Sequence, residues 1–104
     1  MKAELLHTGS FWCSPGVRWV READHILVLN RNTGHTLKLE GASAAIWDWM
    51  TLGYRFGQVA AMLAVFLDQP QAVAERRVRE SLQTWTVTGF ILTPSGEPHG
   101  KSGD

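Results

Sequence analysis

The chain has a single cysteine, Cys13, and no surplus of charge: ten Lys and Arg balance ten Asp and Glu over 104 residues. One cysteine excludes an intramolecular disulfide framework and a thiolate-rich zinc site. A formal net charge of zero argues against the bulk electrostatics of a nucleic-acid binder or a polybasic membrane binder. Long apolar runs are missing too. The longest, Val59 to Leu67, has nine residues, roughly half of what a membrane-spanning helix needs. The opening MKAELLHTGSF lacks the apolar stretch of a secretory signal. There is no GxGxxG, no GxxxxGK[ST] and no GxSxG. His7, His25, His35 and His99 show no metal-ligand spacing. Cys13 has no base beside it in sequence to activate a thiolate. These absences predict a small cytoplasmic domain that is not an enzyme and holds no metal or cofactor.

What is present suffices for one core: hydrophobic residues make up 44% of an 11.6 kDa chain. Composition divides the chain into three. Residues 1–14 read as a flexible arm carrying the apolar trio Phe11, Trp12 and Cys13. Residues 15–93 read as the folded domain. Residues 94–104, PSGEPHGKSGD, have no apolar side chain to offset the entropy of ordering and read as a disordered tail.

Inside the domain the hydrophobic period begins at two. VRWVRE (Val17 to Glu22) alternates, with Val17 and Trp19 on one side. ILVL (Ile26 to Leu29) is a continuous apolar run, as in a strand with both faces at least partly covered. NRNTG (Asn30 to Gly34) is a hairpin turn, with Gly34 supplying positive φ. HTLKLE (His35 to Glu40) alternates again, Leu37 and Leu39 inward. The period then lengthens to that of helices. Ile46, Trp47 and Met50 share a face in SAAIWDWMT (Ser43 to Thr51), and Leu52-Gly53 ends the helix. From Phe56 to Leu67 the stripe is Val59, Met62, Leu63 and Phe66. From Gln71 to Thr88 it is Ala74, Val78, Leu82 and Trp85, with Gly89 at the end. The expected fold is α+β and winged-helix-like, a three-stranded antiparallel sheet followed by three helices.

Five tryptophans are a heavy load for this length. Trp47 and Trp85 fall on apolar stripes and are expected in the core. Trp19 is expected half-buried on the sheet, and Trp49 either covers a helix junction or meets a partner. The one basic cluster, ERRVRES (Glu75 to Ser81), carries a net charge of only +1. It reads as a solvated, internally paired helix face. With a helix-turn-helix ahead of it, it also raises a winged-helix DNA-binding regulator as an alternative. A phosphate-tracking surface, however, needs several uncompensated charges.

The order of these segments resembles the PqqD-like family, the RiPP recognition elements. The residues that carry the resemblance are Pro15-Gly16-Val17-Arg18, Ile26-Leu27-Val28-Leu29, Asn32-Thr33-Gly34, Leu37-x-Leu39, Ala44-Ala45-Ile46-Trp47, Gly53, Gln58-Val59, Leu82-x-x-Trp85 and Gly89-Phe90-Ile91. No single motif is specific; their order and spacing over about 80 residues are. Glu40, Ala42 and Arg55 depart from the family's Asn, Thr and Thr, so the first helix is expected to be capped by Gly41 or Ser43. The resemblance implies a non-catalytic chaperone for the leader segment of a ribosomally made precursor peptide. The leader would be held as an added strand in a groove between the third strand and the third helix, for delivery to a radical-SAM enzyme or a leader peptidase and cyclase. Edge strands invite such addition. On the strand this points to His35, Thr36, Leu37, Lys38 and Leu39. On the helix it points to Val73, Arg76, Arg77, Ser81 and Thr84, with Lys38, Arg76 and Arg77 attracting acidic leader residues.

Overall fold

The computed structural model describes residues 12–92. Residues 1–11 of the postulated arm (1–14) and the whole of the postulated tail (94–104) lie outside the described residues. The elements run β1 (Trp12–Cys13), β2 (Val17–Arg21), β3 (His25–Asn30), β4 (Thr36–Glu40), α1 (Gly41–Thr51), α2 (Phe56–Leu67), α3 (Gln71–Val87) and β5 (Ile91–Leu92). β2, β3 and β4 form an antiparallel meander in that spatial order. The three helices follow and pack on one side of it, as the change of period predicts.

The alternation in β4 places Leu39 in the core and leaves Thr36, Lys38 and Glu40 exposed. Ile26 and Val28 of β3 point the same way as Leu39. They meet Ile46, Trp47 and Met50 of α1, with Val59, Ala60 and Leu63 of α2 and Ala74, Val78 and Trp85 of α3 completing the core. Trp47 is fully buried at its centre. Trp19 and Trp85 approach it edge-to-face, with ring centroids 5.5 and 5.1 Å away. Offset and edge-to-face pairs are the favourable arrangements of aromatic quadrupoles. The indole N–H of Trp47 has no hydrogen-bond acceptor and is enclosed among these apolar groups.

One buried polar residue joins sheet and helices. Asn30 is 3% exposed, and its Nδ2 donates to the Gly89 carbonyl at 2.9 Å while its Oδ1 accepts from the Asn32 N–H at 2.9 Å. Its backbone N–H donates to His35 O and its carbonyl accepts from Gly34 N–H. Asn30 thus closes the hairpin and fixes the end of α3 to it. The side-chain amide and both backbone groups of Asn30 thus have partners, so its burial carries no unpaired desolvation cost. Gly34 has φ +82, the positive value the turn demands.

Four expectations are corrected. Trp12 and Cys13, assigned to the arm, pair antiparallel with Leu92 and Ile91 in a separate two-stranded sheet. The ILVL segment is covered on one face only, because all helices lie on one side and Leu27 and Leu29 face outward. The inward stripe of α2 is Val59, Ala60 and Leu63, while Phe66 is 55% exposed. Sequence weight favoured the bulkier Met62 and Phe66, but α2 packs against both α1 and α3, and small alanines allow that approach. Finally, α1 starts at Gly41 with Glu40 as N-cap, and no side chain caps it. At α2, the Gln58 side chain accepts from the Arg55 backbone N–H at 3.0 Å, which serves the entry that Arg55 itself leaves uncapped.

Candidate functional site

β4 is an edge strand, and its register decides which backbone groups are free. Asn30 N–H donates to His35 O, so Asn30 and His35 form a hydrogen-bonded pair. Antiparallel pairs alternate between hydrogen-bonded and non-hydrogen-bonded. Leu29↔Thr36 is therefore non-bonded, Val28↔Leu37 bonded, Leu27↔Lys38 non-bonded and Ile26↔Leu39 bonded. The other side of β3 obeys the same alternation, since Glu22 N–H donates to His25 O. The N–H and C=O groups of Leu37 and Leu39 thus hold β4 to β3. Those of Thr36 and Lys38 point away from the sheet, along an edge with no partner strand among the described residues.

Two faces flank this edge. On the outer face lie the side chains of Thr36 and Lys38; on the inner face lie Leu37, half-buried, and Leu39, buried. Lys38 Nζ sits 3.4 Å from Glu40 Oε2, with both side chains well exposed. The pair screens much of the positive charge of Lys38 locally. His35 precedes the strand and is exposed, its N–H received by Thr33 Oγ1 at 3.2 Å.

The rotation of α3 is set by its buried residues, Ala74, Val78 and Trp85, with Leu82 packed beside them. Arg79 lies over the Phe56 ring at 5.5 Å, which marks the Arg79 side of α3 as the side facing α2. Arg77, Ser81 and Thr84 occupy the opposite flank by helical spacing. Ser81 is half-buried; Arg77 and Thr84 are exposed. Val73 joins this flank at the N-terminal end and is half-buried. Arg76 does not: it stands opposite the buried stripe, on the solvent side. α3 packs chiefly on α2 and, to a lesser degree, on β5 and α1; it makes no extensive contact with β4. Its C-terminal end is held at the β3–β4 hairpin by the Asn30–Gly89 hydrogen bond. Thr84 lies at that end.

Sequence reasoning missed the outer face of the sheet. Arg18, Val20, Leu27, Leu29 and Thr36 line a shallow apolar hollow there. The uninterrupted ILVL run concealed the alternation that turns Leu27 and Leu29 outward. Trp49 and Phe66 meet edge-to-face at 6.1 Å across the α1–α2 junction, the first of the two roles open to Trp49. Burial pushes the Cys13 thiol up to about 12, far from a nucleophile's range. No group of three His, Cys, Asp or Glu side chains among the described residues converges on a metal position. No described helix is long and apolar enough to cross a membrane.

No protein-family model and no curated protein matches the chain. A solved structure, TbiB1 in complex with the TbiA(beta) leader peptide, superposes with a TM-score of 0.72 at 19% identity, covering 76% of this chain and 92% of that one. The likeness is one of fold, and it extends over nearly the whole of that protein.

Proposed function

We propose that the chain is a non-catalytic receptor for the leader segment of a ribosomally made precursor peptide, bound as a fourth strand along β4. The observation that carries this reading is the unpartnered β4 edge, where Thr36 and Lys38 present donor and acceptor groups outward. Main-chain hydrogen bonds supply affinity in strand addition, and side-chain pockets supply selectivity. An added strand sends alternate side chains inward, beside Leu37 and Leu39 and toward the Arg77–Ser81–Thr84 flank of α3. A protein of the same fold has been solved with a leader peptide, which favours the same ligand class here. The bound precursor is then presented to a separate modifying enzyme, radical-SAM or peptidase and cyclase.

Lys38 is ion-paired with Glu40, so the acidic-leader preference rests on Arg77, an exposed cation on the free flank of α3. Arg76 contributes at longer range from the solvent face. The test is a titration of ¹⁵N-labelled protein with the synthetic N-terminal segment of a short peptide encoded beside this chain's gene. Saturable shifts of the Thr36 and Lys38 amides, with smaller ones at Leu37 and Leu39, are expected. Shifts confined to α3 and reproduced by duplex DNA would refute the reading.

A further inference from the structure

The outer face of the sheet has a charge order of its own, independent of peptide binding at the β4 edge. The register lays out three rows across it. Arg18, Leu29 and Thr36 form the row nearest the hairpin; Val20, Leu27 and Lys38 form the middle row; Glu22, His25 and Glu40 form the far row. Val20, Leu27 and Leu29 are 51%, 41% and 39% exposed, an apolar centre that no described element covers. Arg31, exposed, adds a second cation at the hairpin end, and exposed Asp24 a further anion at the far end. Asp24 is bonded to His25 and Glu40 to Lys38. Arg18 and Glu22 make no ion pair among the described residues.

Along β2 and β3 this face is basic at one end, apolar in the middle and acidic at the other, and so complements a copy of itself turned end for end. A two-fold axis lying in the plane of contact, across the strands, does this: strands run antiparallel, Val20 and Leu27 meet their own counterparts, Leu29 lies over His25, and Lys38, ion-paired with Glu40, meets its counterpart at the β4 margin. Arg18 of each copy then comes over Glu22 of the other. Closed two-fold contacts of this isologous kind are the commonest in homo-oligomers, and face-to-face sheets pack in this way. We infer that this chain self-associates through the outer sheet face into a symmetric dimer, with Val20 and Leu27 at its centre, Leu29 flanking them and Arg18–Glu22 pairs at both ends. Three strands of five or six residues offer on the order of 250 Å² of flat area at normal strand spacing. That is well below the roughly 800 Å² per partner of a standard stable complex, so the dimer is weak, reversible and concentration-dependent. The β4 edge stays open in it, so each copy retains its peptide-binding edge.

Sedimentation velocity of the full chain from about 10 µM to 1 mM, in low and high salt, tests this. Wild type should shift from monomer to dimer across the series, less so in high salt. Leu27→Asp, at an exposed position that leaves the fold intact by circular dichroism, should stay monomeric throughout. Arg18→Glu and Glu22→Arg should each weaken the dimer about three- to tenfold, since each alters both symmetric pairs. The double variant should regain most of that loss. A wild type that stays monomeric at 1 mM overturns the inference. So does a dimer that survives Leu27→Asp, which would place the contact elsewhere, such as the Trp49–Phe66 patch. So does a double variant no better than its singles.

Discussion

Replacing Lys38 by proline separates the backbone of β4 from its side chains. The Lys38 N–H points to the open edge, so proline there removes no bond to β3. Proline is tolerated on an edge strand when its missing donor faces outward, and the extended conformation required of Leu37 before it is already that of a strand. The variant should therefore fold, losing at most a modest amount of stability. A peptide paired along this edge would lose one donor and meet a fixed φ. One such bond, with a peptide carbonyl left unpaired, is worth about 1–3 kcal/mol. Against roughly −8 kcal/mol for a micromolar complex, that is a loss of about five- to 150-fold in affinity. Lys38→Ala keeps the N–H and removes a charge that Glu40 already offsets, so it should change affinity less than about threefold. Leu37→Pro and Leu39→Pro form the contrast. Their N–H groups bond to β3, and proline there should break the ladder and cost about 3 kcal/mol of stability or more. The assay is calorimetric titration of each folded variant with the leader peptide, after a thermal melt by circular dichroism. A folded Lys38→Pro that binds within threefold of wild type would refute strand addition at β4.

Three further outcomes follow from the packing. Trp47→Ala should cost about 3–5 kcal/mol in denaturant unfolding, because it empties the space between Trp19 and Trp85; Leu82→Ala, only half-buried, should cost nearer 2 kcal/mol, and an unchanged midpoint in either would mean the core is elsewhere. Asn30→Ala should cost about 1–3 kcal/mol, since it removes the donor to Gly89 and the acceptor for Asn32; a melt identical to wild type would show that the hairpin and α3 are not joined there. Cys13 holds its proton in the folded chain up to about pH 12, whereas the unfolded thiol releases it near its ordinary value of 9.0. Between those values the folded state binds more protons, so this group makes stability fall as pH rises above about 9, with no effect below. Cys13→Ser should flatten that decline in pH-dependent denaturant melts, and a Cys13 that reacts fully with a thiol reagent at pH 8 in the native state would contradict its burial.

The order and type of the main elements were legible in the amino-acid pattern alone. The alternation of Leu37 and Leu39, the turn residues of Asn30 to Gly34 and the stripes Ile46–Trp47–Met50 and Ala74–Val78–Trp85 are local patterns, each legible within ten or fifteen residues. The periods of strand and helix force those side chains onto one face, whatever they pack against. Other features were decided only by the tertiary structure. A continuous ILVL run does not say whether one face or two are covered; that depends on all three helices lying on one side. The inward turn of α2 onto Ala60 depended on two neighbouring helices, because alanine carries little hydrophobic weight in a pattern yet permits close approach. The pairing of Trp12–Cys13 with Ile91–Leu92 joins segments nearly eighty residues apart, beyond the reach of any local signal. The candidate site divides in the same way. That β4 alternates was written in its residues. That Thr36 and Lys38 are the ones with free backbone groups was fixed by the Asn30–His35 hydrogen bond, because a one-residue change of register would have exchanged bonded and free positions along the whole edge.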